Sequence, residues 1–305
     1  MRKMAQPQHG GIDMAEAAFG RAESARSGPA QKGDSGPAYM PFASGDLRRR
    51  YELEDLIYHA LKNHEFLVYY QPLFNVYDGN FTEAEALLRL KDRSGAFVSP
   101  DEFIPVAERS GLITEIGSAV LDNVCKYIHS MLKCAADIDT ISVNLSVVQL
   151  MQDNVVPRLM DIIRRNEISP NRILLEVTES TLVSSYEQVG EKIREMSAEG
   201  VQFALDDFGT GYSNITHVID LPFDVVKIDK SLIWDSVRSR KCNIMIRELA
   251  KTFRDINLGV TAEGVETPEH DEFARQCGCD KIQGFRYARP MPVSQAGDYF
   301  GRRAV

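Results

Sequence analysis

Eight short apolar runs, separated by segments of helical periodicity, constrain this 305-residue chain more than any other feature. The runs are Phe66 to Tyr70, Ala84 to Leu90, Thr140 to Asn144, Ile173 to Glu176, Val201 to Asp206, Val225 to Lys227, Gly259 to Glu263 and Lys281 to Phe285. Most are too short to be helices, and alternation of strand with helix is the arrangement of βα units around a parallel sheet. Eight such units predict an α/β fold, a closed (β/α)8 TIM-like barrel. The helices expected between them are Pro100 to Glu108, Ile116 to Lys133, Gln149 to Asn166, Ser185 to Gly200, Lys230 to Ile256 and Pro268 to Gly278. Boundary signals support this reading: Ser99-Pro100 with Glu102 marks a helix start, and Gly200 and Gly278 stand where a left-handed terminal residue is wanted.

A charged amphipathic helix, Leu47 to Lys62, precedes the first run. Before it, residues 1–46 are rich in Gly, Ser, Ala, Pro and Gln and carry only a short helical patch. That composition cannot bury a core, so the segment is expected to be mostly disordered, with the barrel occupying residues 47–305. The formal net charge of −9 argues against a DNA-binding stripe but leaves room for a small phosphorylated ligand held by metals. Five scattered cysteines suit a reducing compartment, and no apolar run is long enough to span a bilayer, so a cytoplasmic location is expected.

A barrel places its chemistry at the C-terminal ends of its strands. Here those ends carry Gln71, Glu85 with Arg89, Asn144, Glu176, Asp206 with Asp207, Lys227, Glu263 with Glu266, and Gln283. This is mainly a set of oxygen ligands plus one lysine. Acids converging in such number repel one another unless cations neutralise them, which points to a divalent-metal site. Taken alone, Asp206-Asp207 followed by Gly209 and Gly211 reads more readily as a solvated turn than as a metal site, and the recurrence of acids at the other strand ends is what reverses the preference. Lys227, within the apolar run Val225 to Ile228, reads either as part of the acid site or as an ion pair with Asp229.

The ordered motifs narrow the choice. They are Tyr70-Gln71-Pro72, Glu85-Ala86-Leu87-Leu88-Arg89, Phe103-Ile104-Pro105 with Ala107-Glu108, Ser142-Val143-Asn144-Leu145-Ser146 and Glu176-Val177-Thr178-Glu179-Ser180. Asp206-Asp207-Phe208-Gly209-Thr210-Gly211-Tyr212, Lys227-Ile228-Asp229, Ala262-Glu263-Gly264-Val265-Glu266-Thr267 and Gln283-Gly284-Phe285 complete the series. Over roughly Leu47 to Gln295 the chain resembles the EAL-domain cyclic di-GMP phosphodiesterases. The resemblance implies a modified barrel whose first strand is antiparallel, and hydrolysis of cyclic di-GMP to linear pGpG with two Mg2+ or Mn2+ ions activating the attacking water. It implies metal ligation by Glu85, Asn144, Glu176 and Asp206 at one ion and by Asp206 with Asp207 at the second, with Glu263 close by. Lys227, Glu263 and Asp206 take catalytic roles; Gln71, Arg89, Glu266 and Gln283 face the substrate; Glu179 anchors the loop after Asp207. It further implies a homodimer. Ile12 to Glu23, Tyr39-Met40 and Arg48 to Glu52 resemble the end of a GGDEF domain and its linker, as in the C-terminal part of a GGDEF-EAL protein.

The sequence departs from the family pattern at Leu90, Asn214-Ile215, His270 and Arg286 without losing a ligand. Alternatives that share these residues are a non-catalytic cyclic di-GMP receptor, an EAL-type protein-interaction module, and a magnesium barrel enzyme of another kind with Lys227 as base.

Overall fold

The computed structural model describes residues 44–210 and 215–300. The expectation of disorder before residue 47 falls almost wholly outside the described residues.

The strands are β1 (Leu67–Asn75), β2 (Glu83–Lys91), β3 (Phe97–Val98), β4 (Thr140–Asn144), β5 (Ile173–Thr178), β6 (Gln202–Phe208), β7 (Val225–Ile228), β8 (Gly259–Ala262), β9 (Lys281–Ile282) and β10 (Met291–Pro292). Pairing runs β1, β2, β4, β5, β6, β7, β8, β9 and back to β1, which closes a barrel. β3 and β10 are short antiparallel additions to β2 and β1. From β2 through β9 every neighbouring pair in the ring is parallel, whereas β1 runs antiparallel to both β2 and β9, with Gln71 opposite Glu85 and Phe74 opposite Ile282. The reversal follows from the connection. A tight turn, in which Asn75 Oδ1 accepts from Tyr77 N and Asp78 N and Gly79 takes φ 67°, can only join antiparallel strands, since a parallel pair needs a crossover.

The crossovers are helical. α1 (Ser44–Asn63) precedes β1; α2 (Pro100–Ser110) and α3 (Ile113–Lys133) lie between β3 and β4; α4 (Val147–Leu150) and α5 (Val155–Arg165) follow β4. α6 (Glu179–Ala198), α7 (Ile215–Asp220), α8 (Lys230–Ser236), α9 (Arg240–Asp255), α10 (Pro268–Cys277) and α11 (Val293–Ala296) complete the order. Strand residues such as Ile141, Val143, Val226 and Val260 pack into the main core with helix residues such as Ile116, Leu159, Ile193 and Phe253. The opposite parity points into the barrel, where Leu174, Ala204 and Val225 form a separate small apolar cluster beneath the acids.

Two long helices expected from periodicity are each broken. Gln149 to Asn166 divides into α4 and α5, because Ser146 and Gln149 form a capping box around one turn and the polar stretch Gln152-Asp153-Asn154 interrupts the helix. Lys230 to Ile256 divides because the Ser239 side chain accepts from Cys242 N and starts a new helix. α7, α11, β3 and β10 had no legible pattern in so few residues. Gly278 does take the left-handed cap, at φ 73°, while Ser99 leads into α2 through Pro100 without a side-chain cap.

Candidate active site

Lys227 organises the barrel mouth. It lies mid-strand on β7 with its side chain inward and is 2% exposed. Its Nζ stands 2.8 Å from Glu176 Oε1, 2.8 Å from Glu263 Oε1, 3.1 Å from Asp206 Oδ1 and 3.6 Å from Glu85 Oε2. Asp229 takes no part, since its Oδ1 caps α8 by accepting from Ser231 N at 2.8 Å. Of the two readings of Lys227, the acid cluster is therefore the one the structure realises.

The four acids that face Lys227 come from β2, β5, β6 and the residue after β8. Glu85 on β2 accepts from Asn144 Nδ2 at 2.9 Å and from Gln283 Nε2 at 2.6 Å. Gln283 also donates to Gln71 Oε1 at 3.1 Å, and Gln71 donates to Ala288 O, so the antiparallel β1 is stitched to the loop after β9 beside the acids. Asp206 and Asp207 need a special device, because strand alternation would send consecutive side chains to opposite faces. The β6–β7 register shifts between Leu205 and Phe208, and Asp207 takes a left-handed backbone with φ 55°. This bulge lets Asp206, Asp207 and Glu263 each present an oxygen within 4.8 Å of the others.

The electrostatics are those of an under-neutralised pocket. Burial, together with the charge of Glu85, holds Glu176 well above the ordinary carboxylate range despite Lys227. Burial raises Glu263 to about 8, and burial with the neighbouring Asp206 raises Asp207 to about 6. Burial also opposes ionisation of Glu85, but Lys227 and the Gln283 and Asn144 hydrogen bonds outweigh it and leave Glu85 below its ordinary value. The surrounding acids keep Lys227 charged, well above its usual value, although burial alone would lower it.

These residues fit divalent metal. Glu176 Oε2 is buried and finds no hydrogen-bond donor among the described residues, and Asp206 Oδ1 faces the Lys227 ammonium at 3.1 Å. Fully ionised, the five carboxylates of Glu85, Glu176, Asp206, Asp207 and Glu263 exceed the single ammonium of Lys227 by four charges, which two divalent ions would balance.

Beside the acids opens a cavity of about 450 Å³, bordered by Arg89, Asn144 and Glu176 on the strands and by Pro100, Ile104 and Glu108 of α2. Arg89 is not paired with Glu85; it donates to Leu88 O and lies 5.7 Å over the Tyr69 ring. Glu108 accepts from Ser146 Oγ at 2.5 Å on the cavity wall, a contact whose two motifs are visible in the sequence but whose meeting is not. Two expected site residues stand apart from the cluster. Glu266 is exposed, and its backbone N–H donates to His270 Nδ1 at 3.5 Å. Glu179 is buried at the start of α6. Gly211, Tyr212 and Ser213, part of the loop it is expected to anchor, lie outside the described residues.

The EAL domain family model matches residues 54–290. Among curated relatives, the bifunctional diguanylate cyclase/cyclic di-GMP phosphodiesterase MucR of Pseudomonas aeruginosa is 34% identical over 236 residues, covering 77% of this chain and 34% of that protein. An uncharacterized signaling protein of Caulobacter vibrioides is 36% identical over 247 residues, covering 81% of the chain and 30% of that protein. The chain thus spans about a third of the length of these relatives. A solved MucR phosphodiesterase in complex with cyclic di-GMP superposes with a TM-score of 0.76 at 34% identity, covering 80% of this chain and 99% of that one. With a closed barrel, an antiparallel first strand and the motif series in place, the chain belongs to the EAL domain family.

Proposed function

We propose that the chain is a metal-dependent phosphodiesterase that hydrolyses cyclic di-GMP to linear pGpG. The observation that carries the proposal is the buried Lys227 ammonium in contact with Glu85, Glu176, Asp206 and Glu263, an arrangement whose surplus negative charge divalent cations would neutralise. Likeness to the solved MucR phosphodiesterase, which is in complex with cyclic di-GMP, supports the choice of substrate.

Glu85, Asn144, Glu176 and Asp206 would hold one ion, and Asp206 with Asp207 the second, with Glu263 beside them; Mg2+ or Mn2+ suits this hard oxygen set. When bound, such ions supply charge stabilisation at the phosphoryl oxygens and a more acidic water.

The chain's own residues do the rest. Lys227 places a fixed positive charge where the attacked phosphate gains negative charge, and it is held there by acids that leave it no freedom to reorganise. Glu263, beside Lys227 and the acid cluster, is placed to take the proton of the attacking water while the water oxygen bonds to phosphorus, one P–O ester bond breaks and the departing oxygen leaves as a hydroxyl by taking a proton from solvent. Gln71 and Gln283 keep Glu85 oriented, and Arg89, at the cavity edge, is placed to grip a phosphate. In this reading Glu266 faces the substrate and Glu179 anchors the loop after Asp207, as the resemblance implies. Self-association as a homodimer and an upstream GGDEF domain belong to the same proposal; the latter is supported by the bifunctional MucR being about three times longer than the matched segment.

Purified protein incubated with cyclic di-GMP and Mg2+, followed by chromatography, is the test. Appearance of pGpG supports the proposal, whereas binding without pGpG makes the chain a cyclic di-GMP receptor instead.

A further inference from the structure

The chain contains one tryptophan, Trp234, on the short helix α8 that follows the strand of Lys227. Its indole Nε1–H donates to Gly264 O at 2.8 Å. Gly264 immediately follows Glu263 and turns the chain with φ 62°. A Cβ there would come within 2.2 Å of Lys230 Cβ, so the loop lies flush against the first turn of α8. The indole also stacks on His270 of α10, with the ring planes 17° apart and centroids at 6.2 Å, and His270 Nδ1 accepts from Glu266 N.

Glu263 is thereby held on both sides. Its own N–H donates to Ile228 O at 3.1 Å, at the end of β7, and the next peptide carbonyl is held by Trp234. Between these two fixed points its carboxylate reaches Lys227 Nζ at 2.8 Å. Glycine has the widest backbone freedom of any residue, and the peptide it forms with Val265 is pinned at both edges: Trp234 holds its carbonyl, and its N–H, that of Val265, donates to Gln283 O at 3.0 Å. Trp234 is the only side chain of these two contacts, so it is the one a substitution can remove.

We propose that Trp234 is a positioning residue: its indole N–H fixes the Gly264 peptide and so aims Glu263 at Lys227 and Asp206, and the same bond makes its fluorescence sensitive to what Glu263 holds. The inference rests on the proposed function, its emission arm on metal binding beside Glu263 and its kinetic arm on phosphodiesterase turnover.

Two measurements test it on the full chain. In the first, MgCl2 is titrated into wild type and Glu263→Gln while tryptophan emission is followed, each protein having only Trp234 to report. A saturable emission change in wild type that is absent in Glu263→Gln is expected; a flat wild-type titration, or a change that persists in Glu263→Gln, overturns the proposal. In the second, Trp234→Phe keeps an aromatic plane against His270 but loses the N–H. Its kcat is expected to fall about ten-fold, the scale of one hydrogen bond, with KM within about two-fold. Wild-type kcat in Trp234→Phe also overturns the proposal. A wild type that forms no pGpG defeats the phosphodiesterase reading, and the emission comparison then decides the role of Trp234, as it does if Trp234→Phe fails to fold.

Discussion

Asp206 and Asp207 are consecutive residues of β6 whose carboxylates meet on one side of the sheet, each able to bring an oxygen within 4.8 Å of the other and of Glu263. The bulge that achieves this holds Asp207 at φ 55°, a conformation that costs a non-glycine residue roughly 1 kcal/mol. Asp207→Gly relieves that strain and removes one of several mutually repelling acids. In EDTA it is expected to unfold at higher urea concentration than wild type, a gain of about 0.5–1 kcal/mol, while losing pGpG formation. Asp206→Asn, in contrast, keeps volume and backbone and is expected to abolish turnover with little change in the urea midpoint. A less stable Asp207→Gly would show that the strain reading is mistaken.

Lys227→Met keeps the length of the side chain but leaves Glu85, Glu176, Asp206 and Glu263 without their shared cation. Stripping one partner from buried charges costs about 3–5 kcal/mol, and protonation of the acids limits the loss. The sign with pH follows. A carboxyl raised in the folded state opposes folding above its unfolded pKa, and that opposition disappears as pH falls and both states become neutral. The stability gap between Lys227→Met and wild type, measured in EDTA, should therefore narrow from pH 8 to pH 5. If any turnover survives in Mg2+, kcat should fall far more than affinity does, because the ammonium matters most where charge develops.

Asp122 makes the opposite case, far from the acids. Its Oδ1 accepts from Arg165 Nη2 and Asn166 Nδ2, both at 2.9 Å, and its Oδ2 faces Lys126 Nζ at 2.6 Å, which clips α3 to the end of α5. Burial works to raise this carboxyl, but the hydrogen bonds from Lys126, Asn166 and Arg165 prevail and hold it at about 2. A depressed folded pKa contributes stability that is present above the unfolded value near 3.8 and is lost as pH falls towards about 2. Discounted for the exposed Lys126 and Arg165, Asp122→Asn should cost about 1 kcal/mol at pH 7, and its unfolding curve should merge with that of wild type near pH 2. A gap that is constant across this range would assign the effect to packing.

How much of this was legible beforehand depended on the range of the interaction. The strand β4 was readable to the residue, because Thr140 to Asn144 is a short apolar run with turns on both sides. The meeting of acids at one mouth was readable from their recurrence at strand ends once eight strands suggested a barrel. The bulge at Asp207 was not, since it depends on register with β7 rather than on local composition. Neither was the pairing of Ser146 with Glu108, which are 38 residues apart, nor the grip of Trp234 on Gly264, 30 residues on. The antiparallel β1 came from resemblance alone, because apolar runs carry no sign of strand direction. The breaks at Gln152-Asp153-Asn154 and at Ser239 were visible as polar residues, but helical periodicity on both sides masked them.

Gly284 shows how a glycine can be fixed by close approach rather than by backbone sign. An added Cβ would meet Val265 O at 2.0 Å, Val265 N at 2.4 Å and Val265 C at 2.6 Å, all backbone atoms that cannot rotate away. The turn is clasped around that residue: Val265 N donates to Gln283 O, and Arg286 N donates to Val265 O. Displacing Gly284 therefore moves Gln283, whose amide holds Glu85 at 2.6 Å, and Ala288, whose carbonyl receives Gln71. Gly79 provides the control, because it has φ 67° but nothing within 4 Å of an added Cβ. Gly79→Ala should cost about 1 kcal/mol for its backbone and leave turnover intact. Gly284→Ala should cost about 3 kcal/mol, the upper range of overpacking, and should also lose most pGpG formation because Glu85 is no longer oriented. Urea unfolding and the pGpG assay on both variants decide the matter. Equal losses of stability, or full activity in Gly284→Ala, would mean that the strand end yields to the methyl group and that Glu85 does not depend on Gln283 for its place.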